Sequence, residues 1–149
     1  MSDTSVTIRQ AEPSDATVIA ALGGQLGYPT SHDEAKERLT ATFKNKDQVV
    51  YVAEIEGEDV AGWVHVFGTH RLVMEPFAEI GALIVDESHR SLGVGRALVT
   101  KAEEWALNHG YTYIRVRSNT IRDRAKVFYE RLGYQCQKTQ NVFAKAFSE

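Results

Sequence analysis

A chain of 149 residues, 43% of them apolar and 25% charged, suits one compact domain whose core needs no disulfide or metal staple. A formal net charge of −3 excludes broad electrostatic binding to nucleic acid, which calls for a basic surface. Cys136 has no second cysteine to pair with, no apolar run approaches about 18 residues, and Met1–Gln10 lacks the order of a signal peptide, so a soluble, cytoplasmic protein is expected.

Val6–Arg9 alternates apolar and polar residues and predicts a first strand. Pro13, Ser14 and Asp15 supply helix-start chemistry, and Ile19, Leu22 and Leu26 recur at helical spacing until Gly27-Tyr28-Pro29 breaks the pattern. Ser31 with Glu34 three residues on has the form of a capping box, and Ala35, Leu39 and Phe43 mark one face of a second helix. Val49–Ile55 and Val60–Phe67 are β-rich runs joined around Glu56-Gly57-Glu58-Asp59, a plausible hairpin. Phe77–Val85 carries few charges and is expected to be central and buried on both faces. The short connection Gly68–Pro76 precedes it.

From Val94 the period changes. Val94, Ala97, Leu98, Ala102, Trp105 and Ala106 form one helical stripe, ended by His109-Gly110. Tyr111–Val116 is the next strand. Ala125, Phe128, Tyr129 and Leu132 lie on a last helix closed by Gly133, after which Tyr134–Lys138 and Val142–Phe147 are expected to pair as a final hairpin. This order predicts an α/β (α+β) domain over 1–149, a mixed sheet with helices on both faces.

The most informative segment is Val85-Asp86-Glu87-Ser88-His89-Arg90-Ser91-Leu92-Gly93-Val94-Gly95-Arg96, which runs from a buried strand into a helix. Free N–H groups at a helix start, with the helix dipole, make an anion site. Gly93 and Gly95 remove side chains where a phosphate must approach the backbone, and Arg90 and Arg96 add positive charge. A dinucleotide fingerprint needs Gly or Ala where Leu98 stands, and a Walker loop needs Lys-Ser/Thr where Arg96-Ala97 stand. Both rivals fail on residues, leaving a plain strand-to-helix turn as the bland alternative.

Arg90-Ser91-Leu92-Gly93-Val94-Gly95 fits an Arg/Gln-x-x-Gly-x-Gly/Ala signature, and with its flanks it resembles the GNAT superfamily of N-acetyltransferases. Asn119…Ala125…Phe128-Tyr129-Glu130-Arg131-Leu132-Gly133-Tyr134 resembles that superfamily's second cofactor motif, and Phe77-Ala78-Glu79-Ile80 is similar to the catalytic strand of its histone-acetylating branch. The likeness runs from about Val49 to the C-terminus, and Ser118 to Tyr134 looks like bacterial relatives grouped with aminoglycoside acetylases. It implies a single N-acetyltransferase domain, a mostly antiparallel twisted sheet of about seven strands with about four helices.

The resemblance also implies a mechanism. The backbone of Arg90, Ser91, Leu92, Gly93, Val94, Gly95 and Arg96 would hold the pyrophosphate of acetyl-CoA. Leu83, Ile84 and Val85 would offer a splayed strand edge to the pantetheine arm and acetyl carbonyl, where an N–H stabilises the oxyanion. An amine with a pKa of about 10 must lose a proton before it attacks the thioester directly, with both substrates bound. Glu79 is the candidate base, directly or through water; plain strand alternation places it with Gly81, Leu83 and Val85 on one face. The plain alternative is a strand carboxylate paired with Arg117 or His65.

Tyr129 is the candidate acid that reprotonates the CoA thiolate, while the neighbouring Phe128 packs. Asn119 would bond the pantetheine arm, or serve only as a turn residue, and Ala125 would give the cofactor room. Tyr28, Trp63 and His65 are candidate contacts for the amine. Five histidines and one cysteine show no ligand spacing, so no metal is expected. The reading is an acetyl-CoA-dependent N-acetyltransferase for a small primary amine. Alternatives are a protein lysine or N-terminal acetyltransferase, a non-catalytic acyl-CoA sensor, or, less well fitted, a nucleotide-binding protein. The resemblance further implies a homodimer; no nucleic-acid or membrane partner is expected.

Overall fold

The computed structural model describes residues 5–25, 27–89, 93–117 and 123–148. The chain divides into two compact units, Met1–Val116 and Arg117–Glu149. The first is built on a sheet in which β1 (Val6–Gln10), β2 (Gln48–Ile55), β3 (Val60–Arg71) and β4 (Met74–Val85) are antiparallel neighbours in sequence order. β5 (Ile114–Val116) joins β4 in parallel, which a tight turn cannot connect; the crossover is the helix α3 (Val94–Asn108).

Two apolar layers cover the sheet. On one face α1 (Ala16–Gln25) and α2 (His32–Phe43) bury Ala16, Leu22, Ala35 and Leu39 against Val50, Val52, Val60 and Ile84. On the other, α3 buries Val94, Leu98, Val99, Ala102, Trp105 and Ala106, close to the predicted stripe. α3 approaches closely because position 62 has no side chain. A Cβ on Gly62 would stand 2.8 Å from the Ile84 carbonyl and 3.2 Å from Leu98 and Val94.

The polar termini of the first helices are satisfied locally. Pro13–Asp15 form a 3-10 turn in which the buried Asp15 accepts from the Glu12 N–H at 2.7 Å. Arg9 donates to both Asp15 oxygens, at 2.8 and 2.9 Å, and its guanidinium holds the Asp15 carboxyl below the usual range. The capping box of α2 forms as its sequence predicts: the Ser31 N–H donates to Glu34 at 2.9 Å, and the Glu34 N–H to Ser31 Oγ at 3.0 Å. Phe43, expected on one face of α2 with Ala35 and Leu39, is instead 40% exposed at its last turn.

Three expectations about strands are corrected. The Gly68–Pro76 connection is strand almost throughout, turning only at the exposed Leu72-Val73, because β3 and β4 keep pairing to Arg71 and Met74. β4 is not buried along its whole length: Phe77, Ala78, Ile80 and Ile84 are, but Gly81 is exposed. Among the described residues the sheet has five strands, not about seven, since residues 134–148 form none. An alternating pattern describes a surface a strand would present, but a strand needs a partner for its N–H and C=O groups; Val142, Phe143 and Phe147 are exposed here.

In the second unit, α4 (Asp123–Arg131) carries Ala125, Phe128 and Tyr129, half-buried as the predicted stripe requires, with Leu132 just beyond. Gly133, at φ +94°, closes it, and the Tyr134 N–H donates to the Tyr129 carbonyl at 3.0 Å. Among the described residues no helix is long and apolar enough to cross a membrane.

Candidate functional site

β4 organises the candidate site. Its ladder to β5 covers Ala78↔Ile114, Glu79↔Arg115 and Ile80↔Val116 and then stops, while β4 continues to Val85 paired with β3. From Gly81 to Val85 the far edge of the strand therefore has no ladder partner among the described residues. This is the edge that Leu83, Ile84 and Val85 were expected to present.

The ladder to β5 ends beside a β-bulge. Ile80 pairs with Val66 and Ala82 with His65, leaving Gly81 as the extra residue. A Cβ at Gly81 would fall 2.5 Å from the Phe67 ring, so glycine lets the ring lie across the bulge. The bulge overturns the plain alternation expected for this strand. Opposite partners share a face, so Glu79 lies with Phe67, His65, Trp63, Ala82 and Ile84 on the α1/α2 side. Leu83 and Val85 lie with Val64 and Gly62 on the α3 side.

Three predicted residues thus share one face. Glu79 is half-buried, and its Oε1 accepts from Thr69 Oγ1 at 3.0 Å. His65 does not pair with it; His65 Nε2 donates to Gln48 Oε1 at 2.8 Å, because an amide oxygen only accepts. That bond leaves the Nδ1 lone pair on the side of Gly81, and burial lowers the His65 pKa, so the ring is neutral near pH 7. Trp63 packs against the α1/α2 core with its Nε1–H buried and lacking a hydrogen-bond partner among the described residues. Tyr28 stands in the α1–α2 connection, 55% exposed.

Beyond Val85 the chain makes a short 3-10 turn, Glu87–His89. Arg90, Ser91 and Leu92 lie outside the described residues. Gly93 caps α3 at φ +83°, a conformation that strains any residue with a side chain. Ala97 is the first to donate into the helix, to the Gly93 carbonyl at 3.0 Å, so the N–H groups of Val94, Gly95 and Arg96 have no intrahelical acceptor. They lie at the positive end of the helix dipole. Arg96 and Lys101 rim an adjoining groove of about 420 Å³.

The second unit holds the remaining candidates. Asn119 lies outside the described residues. Tyr129 sits edge-on to Phe128 and Tyr134, with centroids 5.0 and 5.6 Å away. Burial pushes its phenol up to about 12, so it remains a proton donor through the physiological range.

Several features of the candidate site escaped the sequence reading. The Thr69 and Gln48 contacts depend on strand register, which no local pattern fixes. The Gly81 bulge had one signal, an isolated glycine inside a strand run. His89, between Asp86 and Glu58, had half a signal in the spacing Asp86-x-x-His89; Glu58 arrives from another turn.

Known proteins share these sequence and fold features. The profile of the acetyltransferase (GNAT) family matches residues 16–134. The uncharacterised N-acetyltransferase YhfO of Bacillus subtilis (strain 168) is 30% identical over 135 residues, 87% of this chain and 90% of that protein. Aminoglycoside N-acetyltransferase AAC(6')-Iy, solved in complex with CoA, shares the fold at a TM-score of 0.85 and 16% identity, over 99% of this chain and 98% of its own. Glucosamine-6-phosphate N-acetyltransferase from Arabidopsis thaliana does so at 0.80 and 22%, over 97% and 99%. The profile match spans most of the chain and runs through β4, the glycine loop and α4: the chain belongs to the GNAT family of acetyltransferases and is an acetyl-transferring enzyme.

Proposed function

We propose that this enzyme transfers the acetyl group of acetyl-CoA to a primary amine of a small molecule, by direct attack with both substrates bound. The observation that carries the reading is the end of the β4–β5 ladder at Ile80, beyond which, among the described residues, the β4 edge has no ladder partner along the segment leading into the glycine loop. The amides of Leu83, Ile84 and Val85 would receive the pantetheine arm and acetyl carbonyl. Those of Gly93, Val94, Gly95 and Arg96, with Arg90, Ser91 and Leu92, would receive the pyrophosphate. A left-handed Gly93 and the helix-start N–H groups of Val94, Gly95 and Arg96, which have no intrahelical acceptor, fit that anion.

Glu79 is the base in this proposal. It lies on the face that carries Phe67, His65 and Trp63, bonded by Thr69 and two residues from the start of that edge at Gly81. Neutral His65 and the Trp63 N–H, which has no partner among the described residues, supply a lone pair and a donor for an amine or hydroxyl, and Tyr28 lines the approach from the α1–α2 connection. Tyr129 is the acid for the departing thiolate; sequence resemblance carries this role, and its neutral phenol suits it. Asn119, Ala125 and Phe128 take the cofactor-side positions of the same motif. A small acceptor is favoured by the aminoglycoside and glucosamine-6-phosphate named for the structural relatives. We further propose that both units serve one N-acetyltransferase domain, since the family match crosses their boundary, and that it works in the cytoplasm.

Calorimetric titration with acetyl-CoA, with NADH and ATP as controls, tests the donor. Stoichiometric binding of acetyl-CoA alone is expected, followed by thiol release with a primary-amine panel. No binding would return the loop to a structural turn. For the base, Glu79→Gln should lower turnover by about 10²–10⁴ and remove the rise in rate with pH; an unaltered pH profile would make Glu79 a structural residue.

A further inference from the structure

The turn carrying β4 into the glycine loop is fastened by one histidine. His89 Nδ1 lies 2.9 Å from Asp86 Oδ2, and His89 Nε2 lies 3.0 Å from Glu58 Oε1. Carboxylate oxygens only accept, so serving both requires a proton on each ring nitrogen, the imidazolium. The bridge joins two parts of the chain: Asp86 stands at the end of β4, and Glu58 in the β2–β3 turn. Asp86 is itself tied in, accepting from the Ser88 hydroxyl at 3.1 Å and from Gln25 Nε2 of α1 at 3.2 Å. Gln25 Oε1 in turn accepts from the Glu87 N–H at 3.2 Å. Among the described residues, the charged groups facing His89 are Asp86 from its own turn and Glu58; α1 contributes the neutral Gln25. The His89 side chain is only 16% exposed, so water does not readily replace either bond.

We propose that His89 is a positioning residue for acetyl transfer: bridging Asp86 and Glu58 as an imidazolium, it fastens the Asp86–His89 turn that leads from β4 toward α3, and loss of its proton releases that turn and weakens acetyl-CoA binding. The inference rests on reading the glycine segment at the start of α3 as part of the acetyl-CoA site. A neutral imidazole has one N–H, so it keeps one carboxylate and turns a lone pair toward the other. The bond to Glu58, then that to Asp86, raise the His89 pKa above its ordinary value of about 6.5. A group with a raised folded pKa contributes fully at low pH and less as pH rises through that value. The clamp therefore opens on the alkaline side of neutrality. The amine proton has the opposite preference, since deprotonation favours attack. Acceptor reactivity would rise with pH while donor binding falls, which sets an upper bound on the working pH.

Two measurements on the full chain test this. In an NMR titration from pH 5.5 to about 9.5, the His89 imidazole should titrate above about 6.5, and the Gly93 and Gly95 amides should move with the same midpoint. Glu58→Gln should lower that midpoint. Glu58 is 55% exposed, so this change leaves the fold intact. In calorimetry, acetyl-CoA affinity should fall roughly threefold to tenfold between pH 7 and pH 9, the scale of one solvent-screened charge-assisted bond. His89→Gln should bind at the weaker level at both pH values. The proposal is overturned if His89→Gln keeps the wild-type pH dependence, or if the glycine amides ignore the His89 midpoint. Failure of the wild type to bind acetyl-CoA at any pH would overturn the donor assignment and this inference with it, whereas binding independent of pH would overturn this inference alone.

Discussion

Replacing Asp15 with asparagine removes the charge on which three hydrogen bonds converge: two from Arg9, at 2.8 and 2.9 Å, and one from the Glu12 N–H at 2.7 Å. Asparagine retains one acceptor oxygen but turns an NH2 toward a guanidinium. Breaking a fully buried ion pair costs about 3–5 kcal/mol, because a charge is stranded. Arg9 is not stranded: its side chain is 30% exposed and keeps Glu54 at 3.3 Å. The loss should therefore fall to roughly 2–3 kcal/mol, in line with charge-assisted bonds of ~1.5–3 kcal/mol partly compensated by water. For a chain of this size that lowers Tm by about 4–12 °C.

The pH dependence gives an independent check on that reasoning. The Asp15 pKa is lowered, chiefly by its bond to Arg9, so its contribution is present above the unfolded value of about 3.9 and is lost as pH falls through the folded value. Circular-dichroism melts of wild type and Asp15→Asn should differ most near pH 6 and converge in strong acid. A difference below about 1 °C at pH 6, or one that persists undiminished in acid, would refute the argument that the charged pair ties β1 to the start of α1.

Tyr129→Phe should lower kcat by roughly 10²-fold or more while leaving the acetyl-CoA Kd nearly unchanged, because it removes a proton donor and little packing. Unchanged turnover would take Tyr129 out of the mechanism. With its phenol at about 12, ionisation of Tyr129 should not limit the rate below about pH 10, which a pH–rate profile checks. Gly62→Ala should cost about 1–3 kcal/mol in urea unfolding. The added methyl meets the fixed Ile84 carbonyl at 2.8 Å as well as yielding side chains on α3; a neutral result would mean that α3 can move off the sheet without penalty.

Elements marked by composition or period were legible in the sequence. The α3 stripe, the Ser31–Glu34 box and the β-rich runs emerge because each depends on residues a few positions apart. The start of α3 after Gly93 was legible for the same reason. Pairing was harder. Nothing between Thr69 and Glu79 announces that a long hairpin places them 3.0 Å apart, and nothing near His65 announces Gln48. The one-residue slip at Gly81 sends Leu83 and Val85 to the face opposite Glu79, although their spacing assigns them to the same one. The expected final hairpin failed for the complementary reason: Tyr134–Lys138 and Val142–Phe147 have strand-like residues, but alternation cannot supply a partner.

Gly81 is surplus to the alternation of β4. Counting along the strand without it, Glu79, Ala82 and Ile84 still alternate with Ile80, Leu83 and Val85, each toward the layer it already occupies. A chain lacking this glycine would thus lose no buried contact of its two cores and would be expected to fold. What it would lose is the bend, and a straight β4 could go on pairing with a neighbour past Ile80, sealing the edge on which the proposed chemistry depends. One residue in this strand separates the requirement to fold from the requirement to react, and a deletion is a sharper probe of that division than any substitution.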